Sequence, residues 1–183
     1  MLHKTILAAL LLATPAMAQE DGPGPNLSIE VAGAANGTII IDMLADVAPK
    51  HVAQMTALAT SGAYDGVVFH RVIDGFMAQT GDVQNGRAGA DLAAAGTGGS
   101  DLPDLPAEFS DVSFDRGIVG MARSNDPNSA NSQFFIMFAP GEFLNGQYTV
   151  VGRVISGMEV VDAIAKGEPP ATPDQMVKVT VAP

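Results

Sequence analysis

The chain has 183 residues, a formal net charge of −11 and no cysteine. The carboxylate excess repels phosphate backbones and anionic headgroups, so neither nucleic acid nor an acidic membrane surface is an expected partner. A disulfide framework is excluded, and a chain of this length, less a short leader, suits one domain that buries about 70% of its unfolded surface without staples.

Lys4, the apolar run Ile6 to Ala13 and the small residues Ala16-Met17-Ala18 have the pattern of a secretory signal covering residues 1–18. The run is shorter than the ~20 residues a membrane span needs, and no later run approaches that length. The expectation is an exported, periplasmic protein with no membrane anchor. Residues 19–26, QEDGPGPN, read as a flexible lead-in, and residues 27–183 as the domain.

Leu27 to Val31 alternates apolar and polar residues, and a second strand, TIIIDML, follows across Asn36-Gly37, a hairpin signal. Pro49 opens a helix whose Val52, Met55, Leu58 and Ala59 share one face before Ser61-Gly62 ends it. Val67 to Val72 and Phe76 to Gln79 read as strands joined at Asp74-Gly75, and Gly81 to Pro106 as a long loop. Gly117 to Ala122, Gln133 to Phe138 and Tyr148 to Ile155 are further strands. Met158, Val161, Ile164 and Ala165 mark a second helix ended by Gly167, and Met176 to Val181 closes the chain. No strand–helix alternation implies a parallel sheet, so a closed antiparallel barrel with two covering helices is the economical arrangement.

The reactive parts of common hydrolases and metal sites are not assembled. There is no Cys and no G-x-S-x-G elbow, and only His51 and His70 lie beyond the signal, without metal-ligand spacing. His51 reads as a solvated or partly buried helix residue. AGTGGSD, Ala95 to Asp101, lacks the strand–loop–helix context of a phosphate loop, and Asp101, Asp104 and Glu108 read as a solvated acidic loop rather than a calcium site. No metal or cofactor is expected.

Strand parity is more informative. Successive side chains alternate, so Phe69, Arg71 and Ile73 share a face opposite His70 and Val72, Met77 shares one with Gln79, and Gln133, Phe135 and Met137 share another. A core face would normally exclude the arginine and the glutamines, so these strands read either as an ordinary barrel with one polar edge or as an apolar groove with a few fixed donors, of which Arg71 would be the strongest. By the same parity His70 faces away and reads as a packed, hydrogen-bonded structural residue.

FHRVIDGFMAQTGD, GTGG, GIVGMARSNDPNSANSQFFI and FLNGQYTVVGRV resemble, in content and order, the motifs of the cyclophilin family of peptidyl-prolyl cis-trans isomerases, and the similarity extends over most of the chain. The resemblance implies an eight-stranded antiparallel barrel capped by two helices. It places a catalytic arginine on Arg71 with Gln79 as polar neighbour, and a proline pocket on Phe76, Met77, Phe135 and Leu144. Gln133 would lie on the rim, Phe143 and Tyr148 would stand where many relatives carry Trp and His, and the backbone of Ala122 to Asn125 would pair with an extended peptide. Asp74 stands where proline is frequent. The implied partners are proline-containing unfolded or extended polypeptides, and a monomer is expected.

Rotation about an X-Pro bond works against amide resonance, a barrier of about 18–20 kcal/mol, and needs no nucleophile, metal or proton relay. A non-catalytic module that only holds proline-containing segments is the alternative, and Arg71 discriminates the two, since binding alone needs no donor matched to the twisted amide. A lipocalin-like ligand barrel fits less well, because bulky residues on both faces of QFFIMF would fill its interior.

Overall fold

The computed structural model describes residues 20–182, so the signal expected at residues 1–18 lies outside the described residues. One antiparallel sheet contains β1 Asn26–Ala32, β2 Gly37–Met43, β3 Val67–Val68, β4 Arg71–Ile73, β5 Met77–Thr80, β6 Ile118–Met121, β7 Phe134–Met137, β8 Val150–Ser156 and β9 Gln175–Ala182. Helices α1 Pro49–Thr60 and α2 Met158–Ala163 and a 3-10 turn at Glu142–Leu144 complete the described elements. The strand order is β3-β9-β1-β2-β8-β6-β7-β5-β4.

The expected closed eight-stranded barrel is instead a curled nine-stranded half-barrel, because the stretch read as one strand, Val67 to Val72, is two. The Phe69 N–H donates to the carbonyl of Asp174 and the Thr80 hydroxyl to the carbonyl of Val68. These bonds bend the chain at Phe69-His70, so that β3 pairs with β9 and β4 with β5, at opposite ends of the sheet order. Unbroken alternation therefore fails for Phe69, which joins Val67 and Val72 in the main core rather than sharing the face of Arg71.

The sheet carries apolar side chains on both faces. Within β7, buried throughout, Phe134 and Ile136 enter the larger cluster with Ile29, Ile41 and Met55, whereas Phe135 and Met137 enter a smaller one. Each such fully buried side chain contributes about 1.5–3 kcal/mol relative to exposure. Val52, Met55, Leu58 and Ala59 of α1 are buried as their spacing predicts.

His51, expected to be solvated or partly buried, is fully buried. Its Nδ1 lies 2.7 Å from Glu108 Oε2, and the same carboxylate accepts from the backbone N–H groups of Lys50 and His51. Pro49 at the first turn has no N–H and Ala48 offers no side-chain cap, so the acidic loop supplies the cap from a distance. Burial alone would raise the Glu108 pKa, but the His51 ring and the N–H bonds outweigh it and hold the carboxyl below its usual range. Residues 20–25 lie against the sheet: Arg153 Nη2 donates to the Glu20 carbonyl at 2.8 Å and the Met43 N–H to the Pro25 carbonyl at 3.0 Å.

Candidate active site

Cross-strand register assembles the site. Arg71 of β4 stands opposite Gln79 of β5, and Gln79 opposite Phe135 of β7; one step along, Ile73, Met77 and Met137 form a parallel row. Directly opposed residues share a face, so an arginine, a glutamine, two methionines and an aromatic are brought together on the side away from the main core. Phe135 in turn faces Gly120 of β6. A Cβ at Gly120 would lie 2.6 Å from both the Phe114 and Phe135 rings, so the missing side chain is what lets those rings stack with centroids 5.7 Å apart.

Over this face lies a cleft of about 290 Å³. Buried Met77, Phe135 and Leu144 form its base. The 3-10 turn delivers Leu144 inward and leaves Phe143 71% exposed, with its ring 5.5 Å from that of Phe76. Tyr148 packs edge-on to Phe135 at 5.9 Å, and the Arg123 guanidinium covers the Tyr148 ring at 4.3 Å. Arg71 and Gln79 border the apolar base. Because Phe143 is largely exposed, Phe143→Ala is expected to raise KM about three- to tenfold, the worth of one partly buried aromatic contact, and to leave the unfolding midpoint in urea unchanged.

Of the residues expected at the site, Gln133 stands apart: it lines an adjoining polar cleft of about 260 Å³ that also borders Gln79, Ala122 and Arg123. Its Nε2 donates to the carbonyls of Gly96 and Gly98 at 3.0 and 2.7 Å, and its Oε1 accepts from Gln79 Nε2 at 2.9 Å. Gln79 Oε1 in turn accepts from Arg71 Nη1 at 3.4 Å. Gln133 is thus a strut between the long loop and the pair Arg71–Gln79, with both its amide hydrogens engaged.

The loop end of that chain is fixed by Asp82, which is fully buried. Its carboxylate accepts from the backbone N–H groups of Gln84, Asn85, Gly96 and Gly98. A Cβ at Gly98 would sit 2.5 Å from Asp82 Oδ1, which explains a glycine there. The N–H groups of the GTGG stretch converge on an internal anion, so the loop holds this protein's own carboxylate rather than a phosphate.

His70 is buried against Gly96, and neither ring nitrogen finds a hydrogen-bond partner among the described residues, against the expectation of a hydrogen-bonded ring. Burial lowers its pKa, and the neighbouring Asp82 charge only partly opposes that shift. Below a pH of about 6.5 the unfolded chain accepts a proton that folded His70 resists, so this stability is present above that pH and lost as pH falls. The expected result is a wild-type unfolding midpoint that declines as pH is lowered through that value, with a shallower decline in His70→Gln.

Three side chains that the motifs gave no role contribute to the site, Arg123 from within one motif and Phe114 and Glu168 from outside them. Phe114 buttresses Phe135 from beneath, Arg123 covers Tyr148, and Glu168 meets Arg71 from the far side, Nε to Oε2 at 2.8 Å. Aromatic content could have pointed to Phe114; nothing local in the sequence marks the pairing of residues 71 and 168.

Comparison with known proteins agrees with this geometry. Residues 27–181 match the family "Cyclophilin type peptidyl-prolyl cis-trans isomerase/CLD". The "probable peptidyl-prolyl cis-trans isomerase" of Brucella suis biovar 1 is 60% identical over 153 residues, covering 80% of this chain and 78% of that one. A peptidyl-prolyl cis-trans isomerase of Arabidopsis thaliana is 37% identical over 156 residues, covering 79% and 90% respectively. Among solved structures, a cyclophilin-type isomerase of Cryptosporidium parvum, crystallised in the presence of the dipeptide Ala-Pro, superposes with a TM-score of 0.73 at 26% identity, over 86% of this chain and 99% of that one. Sequence over most of the described chain and the path of its backbone lead to the same assignment: the protein belongs to the cyclophilin-type peptidyl-prolyl cis-trans isomerases and is an enzyme of that class.

Proposed function

We propose that the protein accelerates X-Pro rotation in exported polypeptides during their folding, and that it does so by donating a hydrogen bond from Arg71 to the twisted amide. The observation that carries this reading is the position of Arg71 beside an apolar cleft, with Gln79 on its flank. The cleft formed by Phe76, Met77, Phe135 and Leu144 takes the proline ring, while Phe143 and Tyr148 flank the neighbouring residues. An Ala-Pro dipeptide present with the Cryptosporidium parvum relative supports a proline-containing occupant here.

A planar amide shares the nitrogen lone pair with the carbonyl. At the rotational midpoint that sharing is lost and the proline nitrogen becomes an acceptor. A guanidinium aimed at it stabilises the midpoint more than either planar state, which is what lowers a barrier. The apolar base excludes water from one side and strengthens the interaction. Gln79, anchored through Gln133 to the loop, holds the guanidinium during rotation.

Exchange NMR on one proline peptide, with wild type and Arg71→Ala, tests the reading: cis and trans signals exchange rapidly with wild type and slowly with the variant. Equal exchange in both would remove Arg71 from the mechanism. The export half is tested by the intact mass of protein recovered from the periplasm, where a species starting at Gln19 is expected and one retaining residues 1–18 overturns it.

A further inference from the structure

The Arg71 side chain is gripped on two sides, and only one grip lies in the residues that make the cleft. Nη1 meets Gln79 Oε1, whereas Nε donates to Glu168 Oε2 at 2.8 Å. No other hydrogen bond holds the guanidinium among the described residues except a long contact from Nη1 to Met77 Sδ. Glu168 follows α2 in a segment fixed to the strand that bears the arginine: the Val72 N–H donates to the Gly167 carbonyl at 2.8 Å and the Gly167 N–H to the Val72 carbonyl at 2.9 Å. Lys166, two residues before Glu168, donates to the carbonyls of Asp162 and Ile164, and Pro170, two residues after it, is buried. The carboxylate is thus mounted on a backbone pinned beside Arg71 rather than borne on a free loop.

We propose that Glu168 is a positioning residue for Arg71: its carboxylate takes the Nε–H and fixes the rotation of the guanidinium, turning the Nη groups toward the cleft. The inference rests on Arg71 being the donor to the twisted amide. A half-exposed ion pair has modest worth, since the two side chains are 41% and 53% exposed. The effect belongs in orientation, and orientation acts on the transition state more than on substrate capture. A neutral acceptor of the same shape retains the bond without its charge assistance, which roughly halves its strength.

The test compares wild type, Glu168→Gln and Glu168→Ala by exchange NMR on a proline peptide and by 15N-detected order of the Arg71 Nε–H. Glu168→Ala is expected to lower kcat about three- to fivefold with KM unchanged, and to loosen the Arg71 Nε–H, while Glu168→Gln falls between. A rate that is unchanged or raised, or a fall in rate with an Nε–H as rigid as in wild type, overturns the proposal. Arg71→Ala at the wild-type rate would overturn the donor reading instead, and the Nε–H order would still report whether Glu168 holds the side chain.

Discussion

Arg71→Ala is expected to lower kcat/KM for a proline peptide about 10²–10³-fold, the usual cost of removing one preorganised donor from a developing charge. The loss should fall on kcat, because the apolar cleft proposed to take the proline ring is built by Met77, Phe135 and Leu144 and remains in place. The side chain is 41% exposed and its ion pair with Glu168 lies at the surface, so the unfolding free energy should change by about 0.5 kcal/mol or less. This separates chemistry from folding. Arg71→Lys is the sharper comparison. It keeps the charge but replaces a planar fork by a point donor that cannot bond Glu168, Gln79 and substrate in fixed directions at once. Lysine is therefore expected to restore only a small part of the lost rate in the same assay.

Asp82→Ala is expected to cost about 3–5 kcal/mol of stability, read as a lower urea midpoint with an unchanged slope. The carboxylate is fully buried and receives N–H groups from the start and from the middle of the loop between β5 and β6. Removing it strands those donors, and water can reach only some of them. Asp82→Asn should cost less but still measurably, because its amide NH2 would face N–H groups where an oxygen now accepts. The loss extends to the site. Gly96 and Gly98, once released, no longer present their carbonyls to Gln133, and Gln133 is what holds Gln79 beside Arg71. A lowered turnover in the folded fraction is expected to accompany the lowered midpoint.

How far these features were legible in the sequence depends on the span of the interaction behind them. That Met77 shares a face with Gln79, and Phe135 with Met137, follows from spacing because strand alternation is local; that Arg71, Gln79 and Phe135 stand in one row is set by the pairing of three strands. The apolar face of α1 is local in the same sense, whereas α2 stops at Ala163, short of the Ile164 and Ala165 that its spacing included, and buries Val160 and Val161. The break at Phe69-His70 is not local: it is set by Asp174, far along the chain, taking the Phe69 N–H, and no two-residue period records such a bond. Likewise the acidic loop looked solvated because the partner of Glu108 is His51, 57 residues away, and Glu168 is 97 residues from Arg71. Gln133, read as the first residue of a strand, stands one residue before β7, and an amide side chain does not announce whether its donors meet substrate or carbonyls of the same protein. For the resemblance to the isomerases the residues themselves sufficed. Closure of the barrel was the part it overstated.

The two ends of that open sheet bear on how such an enzyme survives its own substrates. β3 has two residues and β4 three, and among the described residues each meets a single-residue bridge on its outer side, Val67 to Arg87 and Val72 to Gly167. A long unpaired border would invite any extended chain to zip onto it by its backbone and stay there. An isomerase of prolyl bonds meets extended chains by the nature of its work. With both borders cut short and bridged, neither end of the sheet offers an unfolded visitor a long seam to join.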